Sequence, residues 1–210
     1  MTTWTPRWVF VIALVATVVS YRGVWTAGWV YEDANAVRGN IAVKGVMPIA
    51  IDRARWLSAV SHRLVYLVAQ DRPRAHHVVN LGLHLVNGTL VYIVAGTFLP
   101  PAGAVVAGAI FLLHPLQSEG VAYVASRSEL LATCFALLAF WLALSSSRWW
   151  EHGLVLLLIT AAVSAKESAA VIVPLIAMTD AFRGRRLTPV RYLALWGPVA
   201  LMAYSVFRFD

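Results

Sequence analysis

The residues best placed to do chemistry lie in the stretch HPLQSEGVAYVASRSE, which sets His114, Glu119, Arg127 and Glu129, with Ser126 and Ser128, between two apolar runs. Ionisable groups are costly beside hydrocarbon, so they either anchor helix ends or form a site, and a site is the reading developed here. Two further clusters carry charge. Glu32 and Asp33 directly follow an apolar run. An acidic pair there suits a general base at the lipid–water boundary, although taken alone it also reads as a solvated turn. Lys166 and Glu167 interrupt the otherwise apolar run LITAAVSAKESAAVIVPL. Such a pair is either functional or a self-neutralising helix break. Lys166 and Arg127 can hold a leaving phosphate by charge-assisted hydrogen bonds. His114 and Glu119 could bind a divalent metal with Asp33, since imidazole and carboxylate suit such ions, but no spacing demands it. Equally, His114 before Pro115 reads as a helix stop. No G-x-S-x-G elbow is present, so a serine nucleophile is not expected.

The elements that must position these groups are helices in a membrane. With 210 residues, 60% hydrophobic and 13% charged content and a mean hydropathy of +0.72, the chain is too apolar for an ordinary soluble domain. The formal charge of +7 never gathers into a polar domain able to hold nucleic acid, so anionic headgroups or a lipid phosphate are the expected partners. The single Cys134 lies in an apolar run and leaves no intrachain disulfide. Residues 8–20 lack a cleavage site after them and read as an uncleaved span. Seven apolar segments are long enough to consider as membrane helices: 8–28, 76–98, 102–114, 128–146, 152–165, 168–182 and 190–207. The expected architecture is an all-α polytopic bundle occupying 1–210 as one module, without a soluble or repeat domain.

The connection 31–74 is the longest polar one. In its second half Trp56, Val60, Leu64, Leu67 and Val68 recur at helical spacing while Arg53, Arg55, Ser58 and His62 take other faces, which predicts an amphipathic helix along the membrane surface. The segment from residue 76 carries His77, Asn80, His84 and Asn87 at gaps of three, four and three, one polar stripe that must face protein or a wet cavity. For Asn80, His84 and Asn87, interhelical hydrogen bonding alone is the plainer reading, beside a role at a wet cavity. His77 is read as nearer the surface and as a ligand contact. Gly103 with Ala107, and Ala104 with Gly108, have the spacing of close helix packing. Trp149 and Trp150 read as an interfacial belt. If spans alternate, Glu32–Asp33, His114–Glu129 and Lys166–Glu167 emerge on one side. The other side receives short connections with Arg148, Arg183, Arg185 and Arg186. Six of the 17 Lys and Arg then lie inside, and once the long connection is set aside four lie outside, so the RGRR cluster orients the chain.

With these clusters in hand, the sequence resembles the polytopic GT-C glycosyltransferases, specifically the transmembrane tetratricopeptide-repeat protein O-mannosyltransferases and their bacterial relatives. YEDANAVRGN, RPRAHHVVNLGLHLVN, HPLQSEGVAYVASRSELLA and SAKESAAVIVPL match that family's motifs in order and cover most of residues 30–180. The resemblance implies an inverting transfer of a sugar from a polyprenyl-phosphate carrier to the hydroxyl of a protein or glycan acceptor. It places the site on the outer side of a membrane, as in a bacterial inner membrane with the site towards the periplasm. It implies Asp33 as catalytic base with Glu32 beside it, in place of the family's aspartate. His114, Glu119, Arg127 and Glu129 then match the second-loop site, and Lys166 and Glu167 the donor-phosphate region. No cofactor is firmly implied. Family members run longer, with further spans and usually a repeat domain, so the alternative is a short, non-catalytic relative acting as a membrane assembly or scaffold protein. A small transporter would want inverted repeats, and none are found.

Overall fold

The computed structural model describes residues 7–30, 32–50, 55–145, 148–185 and 189–209. Arg53, Arg186 and the side chain of Trp149, invoked above, lie outside them. Among the described residues the fold is helical and contains no strand. Nine α-helices run in order: α1 (Arg7–Ser20), α2 (Trp56–Ala69), α3 (Pro73–Ala95), α4 (Pro101–Leu113), α5 (Ser118–Ala122), α6 (Arg127–Ser145), α7 (Trp149–Ala165), α8 (Ile172–Phe182) and α9 (Pro189–Phe209). Each of the seven expected segments contains a helix, although 8–28 is helical only to Ser20 and 168–182 becomes α-helical only from Ile172. By length and apolar content, two helices among the described residues can cross a membrane, Pro73–Ala95 and Val124–Ser145, or three if α4 and the segment 115–122 count as one bent span.

Local chemistry sets the boundaries. Pro73 and Pro101 open α3 and α4, where a missing N–H costs nothing and the fixed φ is already helical. His114 is extended (φ −67°, ψ 130°) because the following proline disfavours the α region, and the chain bends by 51° there. The Arg148 N–H donates to Glu151 Oε2 (2.9 Å) and caps α7. Lys166 is again extended, dividing α7 from a 3₁₀ turn at Glu167–Val171 and then α8.

Helix α3 lies between α4 and α6; α1 packs on α4, α7 joins α6 to α9, and α8 rests on α6. Ala139, Ala143, Ile159, Val173 and Ile176 form the main contact between α6, α7 and α8. Outward faces are apolar, including Ile12, Val19, Leu157 and Phe182, while the interior face of α3 is polar. That inversion suits a solvent of lipid. Lipid gives helices no hydrophobic reason to associate, so close packing of small residues matters more. Ala104 and Gly108 form that close face, with Gly108 against Phe10 and Tyr92, whereas Gly103 and Ala107 are only half-buried. Helix α2 forms where expected, but Ser58 and His62 face the protein while Leu64, Leu67 and Val68 point outwards.

A Cβ at Gly108 would sit 2.6 Å from Phe10 Cε2, and one at Gly88 would overlap the fully buried Leu112. Gly108→Ala and Gly88→Ala are each expected to lower stability by about 1–3 kcal/mol. Gly82 meets nothing within 4 Å, so Gly82→Ala should be neutral or stabilising by up to about 1 kcal/mol. Thermal unfolding of the three variants in detergent checks the contrast.

Candidate functional site

Breaks between helices supply the site. After α1 the chain passes through a turn at Arg22–Trp25 and reaches Asp33 at the entry to a π-helical turn, Ala34–Arg38, a geometry often found at functional positions. The Asp33 carboxylate is completely buried. Its Oδ2 accepts the Val30 N–H (3.1 Å) and its Oδ1 accepts the Ala125 N–H (2.9 Å). Glu32 is exposed, and its N–H donates to the Tyr123 hydroxyl (3.2 Å). The first loop is thereby fastened to the bend at 123–125. Val30, Glu32, Ser118, Glu119, Ala122 and Tyr123 line a cavity of about 740 Å³.

The second cluster divides. His114 is exposed and its Nδ1 accepts the Leu116 N–H (3.2 Å), the arrangement of a helix stop. Glu119 is exposed at the cavity. Among the described residues no group of three or more His, Cys, Asp and Glu could hold a metal ion, so His114, Glu119 and Asp33 do not form the set considered above. Arg127 is wholly buried. Its Nε donates to Asn80 Oδ1 (2.8 Å), its Nη2 to the His76 carbonyl (2.8 Å) and its Nη1 to the Ser61 carbonyl (3.4 Å). The guanidinium expected on a phosphate is therefore committed to protein acceptors on α2 and α3.

The stripe on α3 explains how the bend is held. Asn80 Nδ2 is shared among the carbonyls of Gly120, Tyr123 and Val124 (3.4, 3.1 and 3.4 Å). His84 donates through Nε2 to the Leu112 carbonyl (3.0 Å), and Asn87 to the Leu130 carbonyl (2.9 Å). These are the interhelical bonds expected of the three. His77 differs from expectation, because it is fully buried rather than near the surface and donates through Nε2 to the Gly28 carbonyl (3.1 Å). The loop after α1 folds over it, which sequence spacing alone does not reveal.

The third cluster is ionic. Lys166 Nζ pairs with Glu129 Oε1 at 2.5 Å. Glu167 accepts a two-pronged bond from Arg55, Nη2 to Oε1 at 2.7 Å and Nε to Oε2 at 3.3 Å. That bond chiefly holds the Glu167 carboxyl below its ordinary range, with burial opposing. Arg55 and Tyr123 were not among the candidates read from sequence. The only signal for Arg55 was its place directly before the amphipathic helix. At the opposite end, Arg185 donates to the Ala143 and Leu144 carbonyls and Arg183 lies over Phe98. The acidic loops thus meet at one end and the Arg183–Arg185 connection at the other.

Removing Asn80 leaves the Arg127 Nε and several carbonyls short of partners, so Asn80→Ala is expected to cost at least about 2 kcal/mol in unfolding measurements. His62 is buried with its Nδ1 3.4 Å from that of His76. Burial, with the positive charge of Arg127 and then His76, pushes its pKa well below the ordinary 6.5. The neutral form is therefore the folded one. His62 contributes stability above about pH 6.5 that is lost as pH falls towards the lowered value. Melting temperatures at pH 7.5 and 5 should diverge in the native chain and diverge less in His62→Gln.

No family model matches the chain, and no solved structure matches it. Among curated proteins it is 33% identical over 184 residues to "Protein O-mannosyl-transferase Tmtc1" of Drosophila melanogaster, covering 77% of this chain and 21% of that protein. It is 33% identical over 194 residues to Tmtc2 of the same organism, covering 79% and 21%. To TMTC3 of Homo sapiens it is 27% identical over 197 residues, covering 81% and 21%. The chain spans about a fifth of the length of these relatives. Over most of its own length, then, the chain is similar to one portion of proteins named TMTC protein O-mannosyl-transferases.

Proposed function

We propose that the chain is the membrane-embedded part of an inverting glycosyltransferase, which moves a sugar from a polyprenyl-phosphate donor to an acceptor hydroxyl on the outer face of a membrane. The observation that supports this reading is the junction of three ionisable loops at one end of the helices: Asp33 on the 125 backbone, Glu129 on Lys166, and Glu167 on Arg55. The relatives are named protein O-mannosyl-transferases, so mannose and a protein hydroxyl are the donor sugar and acceptor to test first.

In this reading Asp33 is the general base, buried behind Glu32 at the cavity wall, so the acceptor hydroxyl reaches it past Glu32. The acceptor oxygen attacks the anomeric carbon and passes its proton to the carboxylate. The bond from that carbon to the phosphate oxygen breaks on the opposite side, and the electron pair leaves on the phosphate. Lys166 neutralises that charge and Glu167 belongs to the same donor region. Glu119 shapes the sugar side of the cavity, while His114 stops the helix that leads to it. Glu129 holds Lys166, while Arg127 and His77 position the bend and the first loop. An apolar groove of about 420 Å³ between α6 and α8, with Lys166 and Glu129 among its lining residues, suits the polyprenyl chain. Helix α2, with Leu64, Leu67 and Val68 outward, lies along the membrane surface. In this reading the basic connection at 183–185 lies on the cytoplasmic side and the site faces the periplasm or exterior of a bacterial inner membrane; the charge of that connection supports this orientation.

Transfer from polyprenyl-phosphate mannose to a peptide, measured with the reconstituted chain, tests the reading. Asp33→Asn is expected to slow it by about 10²–10⁴-fold. Glu32, the exposed member of the pair, supplies the internal comparison. Loss in Glu32→Gln alone would move the base to Glu32. Undiminished transfer in both variants, or none from the native chain, would remove the catalytic reading and favour a membrane assembly protein.

A further inference from the structure

We propose that Arg55 is a phosphate-binding cation of this site, paired with Glu167 and exchanging that carboxylate for the phosphate of an incoming ligand. The inference rests on the donor reading above and adds a residue that no motif singles out. Lys166 alone offers one ammonium, and Arg127, the other cation of the second loop, is fully buried and bonded to Asn80, His76 and Ser61. Arg55 is the cation that the tertiary structure brings onto Glu167, the residue that follows Lys166 in the chain. Its guanidinium grips Glu167 with two donors, and Glu167 stands in the chain between Lys166 and Ser168, both of which line the apolar groove of α6 and α8. A carboxylate held by a two-pronged guanidinium marks where a phosphate with the same fork geometry can sit.

Three features make the exchange feasible. The pair is half-exposed, 51% for Arg55 and 55% for Glu167, so it is weakly held and open to a competing anion. Glu167 chiefly, and then Glu129 and Glu32 through their charge, raise the Arg55 pKa. The guanidinium therefore sits in an acidic surrounding that a phosphate can share only by displacing one of its members. Arg55 also occupies the left-handed region (φ 61°, ψ 21°), uncommon for a residue with a side chain and often kept where a ligand is clamped.

Binding measurements on the full chain in nanodiscs, with polyprenyl phosphate and with inorganic phosphate as separate probes, test the proposal. Arg55→Gln is expected to weaken binding by about tenfold or more, and Arg55→Lys to restore part of it. Glu167→Gln should leave binding equal or tighter, because it removes the competing carboxylate. Weakening confined to polyprenyl phosphate identifies a lipid-borne phosphate; weakening of both probes identifies the phosphate group itself. Unchanged binding in Arg55→Gln would overturn the proposal. So would equal losses in Arg55→Gln and Glu167→Gln accompanied by a common fall in melting temperature, which is the signature of a structural tie. Loss of transfer in Asp33→Asn with phosphate binding intact in Arg55→Gln would keep the catalytic reading and remove only Arg55.

Discussion

The site depends on one buried junction, the carboxamide of Asn80 set against the guanidinium of Arg127. Asn80 accepts from Arg127 with its oxygen and, with its nitrogen, reaches the carbonyls left open where the chain bends between residues 120 and 124. Arg127 in turn reaches back to carbonyls at Ser61 on α2 and His76 on α3. A guanidinium buried this way among the described residues has neutral oxygens as partners and no ion pair. Its charge is spread over acceptors that each need a donor, so both sides of the contact would pay heavily for its loss. Ala125 directly follows that bend, and its N–H is what Asp33 receives. The geometry of the acidic pair is therefore inherited from a polar contact made by its neighbours.

Broken helices follow the same logic. A bend at His114 and an extended residue at Lys166 leave backbone groups without helical partners, an expensive state away from water. The stripe on α3 answers the first of these breaks: His84 takes the Leu112 carbonyl and Asn80 the carbonyls beyond the bend. A polar face on a helix between two others is thus the cost of having irregular chain at that depth. Irregular chain is also what allows side chains from three distant segments to meet.

The ionic groups at that end are not free charges. Lys166 is held by Glu129 and Arg55 by Glu167, while Asp33 is satisfied by two backbone donors. Partners of this kind keep these charges close and compensated, and they leave exposed pairs weak enough to rearrange around an anion. Rigid neutral hydrogen bonds set the frame inside, and adjustable ion pairs line its edge.

Much of this was legible in the sequence. Apolar run lengths determined that the chain is helical and suited to a membrane, because hydrocarbon excludes unpaired backbone over about 20 residues of helix. Pro115 marked a helix stop through local sterics, and the alternation of spans placed Glu32–Asp33, His114–Glu129 and Lys166–Glu167 at one end. What neighbours a side chain meets was not legible. Nothing in the spacing of His77 says that the loop at Gly28 covers it, and nothing near Arg127 says that its partners lie 47 to 66 residues away rather than on a ligand. Arg55, an ordinary loop cation in the sequence, becomes the partner of Glu167 across 112 residues. Helix formation and apolarity are local properties, written residue by residue; the assignment of each charge to structure or to chemistry depends on contacts between segments far apart in the chain, and only the packed helices decide those.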